Sequence, residues 1–455
     1  MDSSSSNRNN SSVRNTNNTN TSYVSYDSYD SYDKYDSNTY NETISILKTN
    51  DKNSSNNSSS RSSSSSSDYT MNDPATSIYK YRGTLIILAL LSAAGLLAMS
   101  MNTVHHSRRQ SASSWSSSFL NSRISLAKQG VIDYSDLSSK EKAELFDDFK
   151  KTYKKEYDSD HMEETSFENF ESFLKKVDKR NKEEAEMGGT AVHGVTIFAD
   201  LSDDDFESAF LGFKEIDDRR LLNRSLKQKH DKRTLKKDID DTYKNWAEDG
   251  YTTVVRDQGY CGSCWAISAV QQVESDAIIT GLMTNRESLS VQQVVSCDKN
   301  DYACSGGNTE TAYTYIGKTG GLEMESVYPY TSYYAKNGHC ISNEDKYKIT
   351  VQGYHTIDDE DDMEEYVLKK GPLSVCLAAS SWSSYQSGVV SSCDKAVDHC
   401  VQVVGIDTDN EYWIVRNSWG TSWGDNGYIY LKTGQNTCYI TYDPTYTSVK
   451  AVDDR

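Results

Sequence analysis

The distribution of cysteine limits the possible folds of this 455-residue chain more than any other feature of its sequence. All nine cysteines lie between Cys261 and Cys438, so the N-terminal half of the chain contains none. Cysteines concentrated in this way indicate disulfide bonds and an oxidising compartment, because cytosolic proteins rarely accumulate them in one domain. Since nine is an odd number, at least one thiol is expected to stay unpaired.

The N-terminal part of the chain has the composition of an unfolded tail followed by a membrane segment. Residues 1–79 are rich in Ser, Asn, Asp and Tyr and too poor in aliphatic side chains to offset the entropy lost on folding. Residues 83–104 are uncharged and largely apolar, which predicts a transmembrane or signal-anchor helix. A cleaved signal peptide is the alternative. We expect a single-pass precursor with a lumenal cysteine-rich domain, and secretion is the alternative.

The rest of the chain divides into two expected domains joined by polar segments. A small α-helical domain is expected at residues 140–215, because residues 141–187 carry aromatic and aliphatic side chains at spacings of three and four, and a short strand is expected at 195–198. Linkers are expected at 105–139 and at 216–237, and the second is rich in Lys and Arg and a candidate site of proteolytic cleavage. Residues 238–455 contain one helical pattern and then short β-branched runs, which indicates an α+β domain.

The formal net charge of −19 argues against nucleic acid as a partner, because nucleic-acid binding needs a basic face. An acidic surface repels itself less as its carboxylates become protonated, which is compatible with an acidic compartment. Solubility alone is the alternative explanation of the charge.

The sequence Cys261-Gly-Ser-Cys264 is the first candidate for chemistry. A CxxC pair can bind zinc, cycle as a redox pair, or combine a nucleophile with a structural cysteine. Zinc would need a second pair at metal-binding spacing and a thioredoxin-like site would need a βαβ pattern, and neither is present. We therefore predict no metal or cofactor. The third possibility requires a base downstream, and a helix that begins near Cys264 would favour its thiolate.

His399 is the best candidate for that base among the three histidines downstream of Cys264. It lies in Val397-Asp398-His399-Cys400, at the start of an apolar strand pattern and 135 residues after Cys264. Asn417-Ser-Trp419 follows, so an amide is available to orient the imidazole and an indole to shield it from water.

Taken together, these motifs resemble the papain family of cysteine proteases, in its cathepsin L-like branch. The resemblance runs from about Trp246 to Tyr442. Besides the cysteine and histidine motifs it includes Ser290-x-Gln292, Cys304-Ser-Gly306-Gly307, Tyr328-Pro-Tyr330, Gly371-Pro372 and Asn417-Ser-Trp-Gly-x-x-Trp423-Gly. It implies an α+β, papain-like fold with a helical half, a β-barrel-like half and a cleft between them. A small α-helical prodomain would precede this fold.

The resemblance also implies a cysteine endopeptidase that acts through a thiolate–imidazolium pair. Cys264 would be the nucleophile, His399 the base and Asn417 the residue that orients it, while Gln258 and the Cys264 amide would form the oxyanion hole. No His-His insertion lies between Cys304 and Cys340, so an exopeptidase loop is not expected. A papain-like peptide ligase and an inactive binding scaffold are the alternatives.

Three disulfides are implied by the resemblance, namely Cys261–Cys304, Cys297–Cys340 and Cys393–Cys438. Cys376 and Cys400 then remain, at positions that wall the pocket for the substrate side chain next but one to the scissile bond. Asp443 would lie at the floor of this pocket and select a basic side chain, unless it points to solvent. The full set of implied substrate-binding residues is Gly306, Gly307, Asn308, Thr309, Cys376, Val397, Asp398, Cys400, Trp419 and Asp443.

Residues 141–215 resemble the inhibitory propeptide of the same family. Apolar positions of the family's long helix are kept, whereas Met162, Ser166 and Phe173 replace the expected Glu, Arg and Asn. The sequence therefore does not establish the internal ion pair of this domain. The expected partners are protein or peptide substrates and the chain's own prodomain, with a monomeric mature enzyme in the secretory pathway, lysosome or vacuole.

Overall fold

The computed structural model describes residues 123–216, 227–229, 241–394 and 396–453. The expected tail, residues 1–79, and the expected membrane segment, residues 83–104, lie outside the described residues. Within the described ranges, no helix is both long enough and apolar enough to cross a membrane.

The predicted helices of the N-terminal domain are confirmed. They are α1 (Ser139–Tyr153) and α2 (Asp160–Glu186), and a further helix, α3 (Asp203–Phe210), lies beyond the residues for which helices were predicted. A capping box begins α1, because the Ser138 hydroxyl accepts from the Glu141 amide while the Glu141 carboxylate accepts from the Ser138 amide. The apolar faces of α1 and α2 then pack together through rings such as Phe146 and Phe170, whose centroids lie 5.2 Å apart.

Part of the segment that the sequence assigns to a linker, residues 105–139, folds onto α2. Residues 123–128 are helical, and a 3₁₀ turn spans Tyr134–Asp136. The Asp178 carboxylate accepts hydrogen bonds from the amides of Tyr134 and Ser135, both at 2.7 Å. Residues upstream of the expected boundary at 140 therefore pack against the helical domain.

Four helices follow in the larger domain: α4 (Cys264–Ile279), α5 (Val291–Cys297), α6 (Thr309–Thr319) and α7 (Glu360–Lys369). Residues 264–277 of α4 are buried without exception, as expected of a helix enclosed on all sides.

The strands are β1 (Val192–His193), β2 (Lys227–Lys229), β3 (Tyr243–Asn245), β4 (Ile349–Thr356), β5 (Leu373–Leu377), β6 (Tyr385–Ser387), β7 (Val389–Val390), β8 (His399–Asp407), β9 (Tyr412–Arg416), β10 (Tyr428–Lys432) and β11 (Thr445–Ala451). Among the described residues, the main sheet runs in the order β2-β4-β11-β5-β8-β9-β10-β7, with β3 beside β8. Its pairings are antiparallel except that β2 joins β4, and β7 joins β10, in parallel. Strands β1 and β6 form a separate pair.

The strand predicted at 195–198 is wrong in its position. The strand is β1, and residues 197–200 form a turn. Side-chain anchors take the place of strand pairing here: the Thr196 hydroxyl donates to the Ser383 carbonyl at 2.6 Å, and the Phe198 ring packs on Trp419.

Two hydrophobic clusters divide the buried core. One surrounds α4, α5 and α6, and the other fills the sheet half and continues into the N-terminal domain. This arrangement agrees with the predicted α+β, papain-like fold of a helical half and a sheet half behind a helical prodomain.

Candidate active site

Cys264 is the first residue of α4 and carries the free thiol among the described cysteines. The loop before it is fastened by the disulfide Cys261–Cys304 and by a hydrogen bond from the Gly262 amide to the Cys304 carbonyl at 2.9 Å. The side chain is fully buried. The sulfur thus lies at the positive end of a helix, where a negative charge is favoured.

His399 is the first residue of β8, and Asn417 holds its ring. The Asn417 Oδ1 lies 2.8 Å from the His399 Nε2 and also accepts from the Ser418 amide at 2.8 Å, so the amide group is itself fixed. The indole of Trp419 packs 4.9 Å from the imidazole. His399 Nδ1 is buried and has no hydrogen-bond partner within the described part of the chain.

Gln258 is buried, and hydrogen bonds fix its side-chain amide. Its Nε2 donates to the Phe210 carbonyl at 3.1 Å and to the Cys261 carbonyl at 2.9 Å. Its Oε1 accepts from the Ser418 hydroxyl at 2.7 Å, which fixes the orientation of the amide. Phe210 ends α3 of the prodomain, so this side chain contacts the inhibitory segment directly.

Residues 211–216, which we call the strap, run through the cleft and bind both of its walls. The Phe213 amide donates to the Asp398 carbonyl at 2.9 Å on the sheet side. The Lys214 amide donates to the Gly307 carbonyl at 2.8 Å on the helical side. Because these contacts use backbone groups, the strap occupies the space that an extended peptide would take.

The strap comes so close to the Cys264 loop that only glycine fits. A Cβ added to Gly212 would overlap the Gly262 carbonyl, and one added to Gly306 would lie 2.7 Å from the Gly212 carbonyl oxygen. The Gly307 amide also donates to that carbonyl, at 2.8 Å.

Burial under the prodomain opposes charge on both reactive groups. It raises the pKa of the Cys264 thiol to about 11, against the opposing effect of the nearby Cys400 and Gly212 amides. It lowers the pKa of His399 to about 4, although the Asn417 hydrogen bond acts in the opposite direction. The thiolate–imidazolium pair expected from the sequence is therefore not favoured in the covered cleft.

The implied substrate-binding residues fall into separate groups. Asn308 caps α6 by accepting from the Glu310 amide, and its Nδ2 contacts the Lys214 carbonyl at 3.4 Å. Thr309 is buried, whereas Asp443 is half-buried and lines a cavity beside the strap. Val397, Asp398 and Phe213 border a second cavity of about 460 Å³. Burial raises the pKa of Asp398 to about 7.

Trp419 contacts the prodomain as well as His399. The rings of Phe198 and Phe206 meet it edge-on, with centroids at 5.5 and 5.3 Å, and Phe210 follows at 6.5 Å. This aromatic cluster joins the core of the prodomain to that of the sheet half.

The described cysteines other than Cys264 form four disulfides. Cys261–Cys304, Cys297–Cys340 and Cys393–Cys438 are the pairs that the resemblance implies. The fourth joins Cys376 to Cys400, which face each other across β5 and β8. The two cysteines left over by the implied pairings are thus bonded to each other, and Cys400 directly follows His399 in the sequence.

The prodomain contains an ion pair that the sequence does not reveal. Lys155 Nζ lies 2.9 Å from the Asp200 carboxylate, which also accepts from the Tyr157 hydroxyl at 2.9 Å. Lys155 lies just after the end of α1, whereas the resemblance led us to expect a positive charge at position 166, which is Ser. No local pattern around Lys155 indicates this role, because its partner lies 45 residues away.

Both parts of the chain match known families. The papain family cysteine protease profile matches residues 241–448, and the cathepsin propeptide inhibitor domain matches residues 146–206. The chain is 36% identical over 338 residues to cysteine protease XCP2 of Arabidopsis thaliana, covering 71% of this chain and 89% of the relative. Cysteine proteinase 2 of Leishmania pifanoi is 34% identical over 319 residues, with 68% and 69% covered.

Solved structures of similar proteins also carry a propeptide. Digestive procathepsin L2 from the larval midgut of Tenebrio molitor has a TM-score of 0.61 at 28% identity, covering 68% of this chain and 99% of that one. A recombinant stem bromelain precursor has a TM-score of 0.54 at 26% identity, with 68% and 98% covered. The chain belongs to the papain family of cysteine proteases.

This papain-family protease is a hydrolase that carries its own inhibitory propeptide domain. The chain is thus a zymogen whose substrates are proteins or peptides. The strap and the aromatic cluster on Trp419 are the contacts through which the propeptide covers the cleft.

Proposed function

We propose that this papain-family protease is an endopeptidase with Cys264 as nucleophile and His399 as base. One observation carries the proposal: His399 has its Nε2 held by Asn417 and its Nδ1 without a partner among the described residues. One ring nitrogen is thus fixed, and the other is available to exchange a proton with the thiol.

The reaction begins when the strap leaves the cleft, because burial then no longer opposes the charged forms. The Cys264 proton moves to His399 Nδ1, and the N-terminus of α4 stabilises the thiolate. The thiolate attacks the peptide carbonyl carbon, the C–N bond breaks, and the imidazolium gives its proton to the departing amine. Water, deprotonated by the neutral imidazole, then hydrolyses the thioester and the thiol is restored.

Gln258 is proposed to stabilise the negative oxygen that forms during both steps. Its donation to the Phe210 carbonyl supports this role, since the same Nε2 would meet a substrate carbonyl once α3 and the strap are gone. The Cys264 amide is the natural second donor, because the first N–H groups of a helix have no partner within it.

Alkylation of the thiol at different pH values tests the proposal. With a thiol pKa of about 11, the thiolate fraction of the zymogen at pH 7 is on the order of one in ten thousand, so labelling should be slow. Activation should shift the midpoint of labelling down by several pH units, and Cys264→Ala should abolish it.

Two outcomes of this test would contradict the proposal. Labelling that persists in Cys264→Ala would mean that another group reacts. A midpoint that stays near pH 11 after removal of the propeptide would favour an inactive scaffold. A peptide blocked at both ends distinguishes an endopeptidase from a ligase. An endopeptidase hydrolyses this peptide with water alone, whereas a ligase needs an added amine to form its product.

We also propose the domain limits and the maturation site. Residues 140–215 form the prodomain, residues 216–237 the processing linker and residues 238–455 the peptidase, with a mature N-terminus between Thr234 and Asp241. The family matches at 146–206 and 241–448 support this division. N-terminal sequencing of the active form measures the site, and a start after residue 241 would contradict it.

The proposed location is the lumen of the secretory pathway, lysosome or vacuole, with residues 83–104 as a membrane tether. Four disulfides support an oxidising compartment. The zymogen should sediment with membranes after alkaline extraction, and Leu88→Arg with Leu91→Arg should release it. A soluble zymogen that begins after residue 104 would favour a cleaved signal peptide instead.

A further inference from the structure

A buried histidine lies where the prodomain meets the peptidase, in the contact of residues 190–196 with residues 383–389, which we call the seam. His193 is the second residue of β1, and the pairing of β1 with β6 places it opposite Tyr385. It is only 5% exposed. Its Nδ1 lies 2.9 Å from the Ser384 hydroxyl oxygen, and its ring meets that of Tyr385 edge-on at 6.3 Å. A prodomain imidazole is thus packed against peptidase residues and shielded from water.

Hydrogen bonds to the backbone around His193 hold its ring in this buried position. The Asn181 Oδ1 accepts from the His193 amide at 2.8 Å, and the Asn181 Nδ2 donates to the His193 carbonyl at 3.0 Å. The amide of the next residue, Gly194, donates to the Ser384 carbonyl at 2.9 Å. Because the chain is fixed on both sides of the ring, the imidazole reaches water only when β1 separates from β6.

The second ring nitrogen of His193 has no place for a proton. His193 Nε2 is buried and has no hydrogen-bond partner within the described part of the chain. A neutral imidazole carries one N–H, which Nδ1 can donate to Ser384. Protonation adds an N–H at Nε2 and a positive charge to the ring, and a buried charged donor without an acceptor is costly. The seam is therefore built for the neutral ring.

The charges around His193 also oppose a positive ring. Arg180 of α2 lies close enough to repel it. Three carboxylates lie on the same side of the prodomain, and each is engaged elsewhere. Glu183 and Asp394 form ion pairs with Arg180, and Glu184 accepts from the amide and the hydroxyl of Ser391.

On the peptidase side, the groups near His193 are uncharged or bonded to other partners. Burial raises the pKa of Tyr385, so its hydroxyl is neutral, and it donates to the Gly388 carbonyl at 2.7 Å. Asp425, whose charge acts on Tyr385, accepts from the Tyr430 hydroxyl at 2.9 Å. No carboxylate among the described residues bonds to the imidazole.

These surroundings link the pH of the solution to docking of the prodomain. Burial and the Arg180 charge lower the pKa of His193 from 6.5 to about 4 in the zymogen. A detached prodomain exposes the ring and restores the ordinary pKa, so the detached form binds the proton more tightly. The contribution of His193 to docking is therefore complete above about pH 6.5 and is lost as the pH falls toward about 4. Between pH 7 and pH 5 this residue alone should favour opening roughly twentyfold.

We propose that His193 is the acid-sensitive contact of the zymogen, and that protonation of its ring separates the seam and uncovers the cleft. The chain that follows β1 carries Thr196 and Phe198, which contact Ser383 and Trp419. Loss of the seam therefore also weakens the aromatic cluster through which the propeptide covers the cleft. The inference goes beyond the proposed function, because it concerns the propeptide and does not depend on which residue is the nucleophile.

Hydrogen exchange in a full-length Cys264→Ala zymogen, which lacks the proposed nucleophile, tests the proposal. The amides of Thr190 and Ala191 both donate to the Val389 carbonyl at 3.0 Å, so their protection reports the seam. After correction for the chemical pH dependence of exchange, their protection should fall roughly twentyfold between pH 7 and pH 5. The amides of α2 should keep their protection, because the prodomain itself stays folded.

Two neutral substitutions remove the proton site. His193→Asn keeps a polar atom near the position of Nδ1, and His193→Gln keeps one near that of Nε2. Each should lower the ratio of seam protection at pH 7 to that at pH 5 roughly tenfold. A loss of stability that is equal at both pH values cancels in this ratio. The matched control is His161→Asn, an exposed histidine on α2, which should keep the wild-type ratio.

A permanent charge at the same position provides the opposite test. His193→Lys should lose seam protection already at pH 7, while the amides of α2 stay protected. Full seam protection at pH 7 in this variant would overturn the proposal, and so would a wild-type ratio in both His193→Asn and His193→Gln. The proposed function is tested separately by alkylation of Cys264, so either can fail without the other.

Discussion

Lys155 and Lys227 both precede the peptidase domain in the chain, and each forms an ion pair with a carboxylate. The two pairs differ in their exposure to solvent. The side chains of Lys155 and Asp200 are 4% and 0% exposed, whereas those of Lys227 and Glu310 are 38% and 6% exposed. A charge pair enclosed on both sides is costly to break, because the remaining charge stays out of water, whereas solvent partly screens the pair whose lysine end is exposed. The Lys155 pair is therefore expected to contribute more to stability than the Lys227 pair.

The largest effect is expected inside the prodomain. Asp200→Asn should destabilise it by about 3–5 kcal/mol, because the Lys155 charge stays buried while the carboxylate charge opposite it is removed. Hydrogen exchange of the amides in α1 and α2 measures this loss in a Cys264→Ala zymogen, which lacks the proposed nucleophile.

A paired substitution separates charge from packing at the same site. Lys155→Met combined with Asp200→Asn removes both charges and should recover a large part of the lost stability. If the double variant is as unstable as Asp200→Asn alone, the buried charge is not the cause.

A somewhat smaller effect is expected where the prodomain meets the peptidase. Phe206 packs on Phe198, Phe210 and Trp419, so Phe206→Ala should cost about 3 kcal/mol of propeptide docking. At neutral pH, Cys264 in the zymogen should then be alkylated about a hundredfold faster. Phe206→Leu serves as the control and should keep most of the protection; equal rates for the two variants would contradict the role of the ring.

A substitution in the strap should have a weaker effect on the protection of Cys264 than a substitution in the aromatic cluster. Gly212→Ala forces a Cβ into the Gly262 carbonyl, and overpacking of this kind costs about 1–3 kcal/mol. Alkylation of Cys264 in the zymogen should rise roughly tenfold, whereas Ser172→Ala on the exposed face of α2 should leave it unchanged. Wild-type protection in Gly212→Ala would mean that the strap does not limit access to the thiol.

The smallest effect is expected at the linker contact. Lys227→Gln should change the free energy of zymogen opening by about 0–1 kcal/mol, and the change should shrink as salt is added. The effect of Lys155→Gln on stability should instead be large and nearly insensitive to salt. A salt-independent effect of Lys227→Gln would remove the contrast between the two pairs.

The helices α1 and α2 of the prodomain could be predicted from the sequence, whereas the conformation of the segment that follows them could not. The aromatic periodicity of α1 and α2 is a local signal, because residues three and four apart share one helix face. The strand expected at 195–198 is replaced by a turn, since Thr196 and Phe198 are anchored by partners far along the chain. A sequence pattern that covers only a few neighbouring residues contains no information about such distant partners.

The sequence by itself determined the papain-family assignment, because Cys264, His399, Asn417 and Gln258 each need one residue type in a recognisable local motif. Tertiary structure alone decided which distant groups meet. Lys227 reaches Glu310 across 83 residues, Lys155 reaches Asp200 across 45 residues, and Cys376 bonds Cys400 because β5 and β8 bring them face to face. Motifs record chemistry that a few neighbouring residues must perform, whereas ion pairs and disulfides depend on how the chain packs.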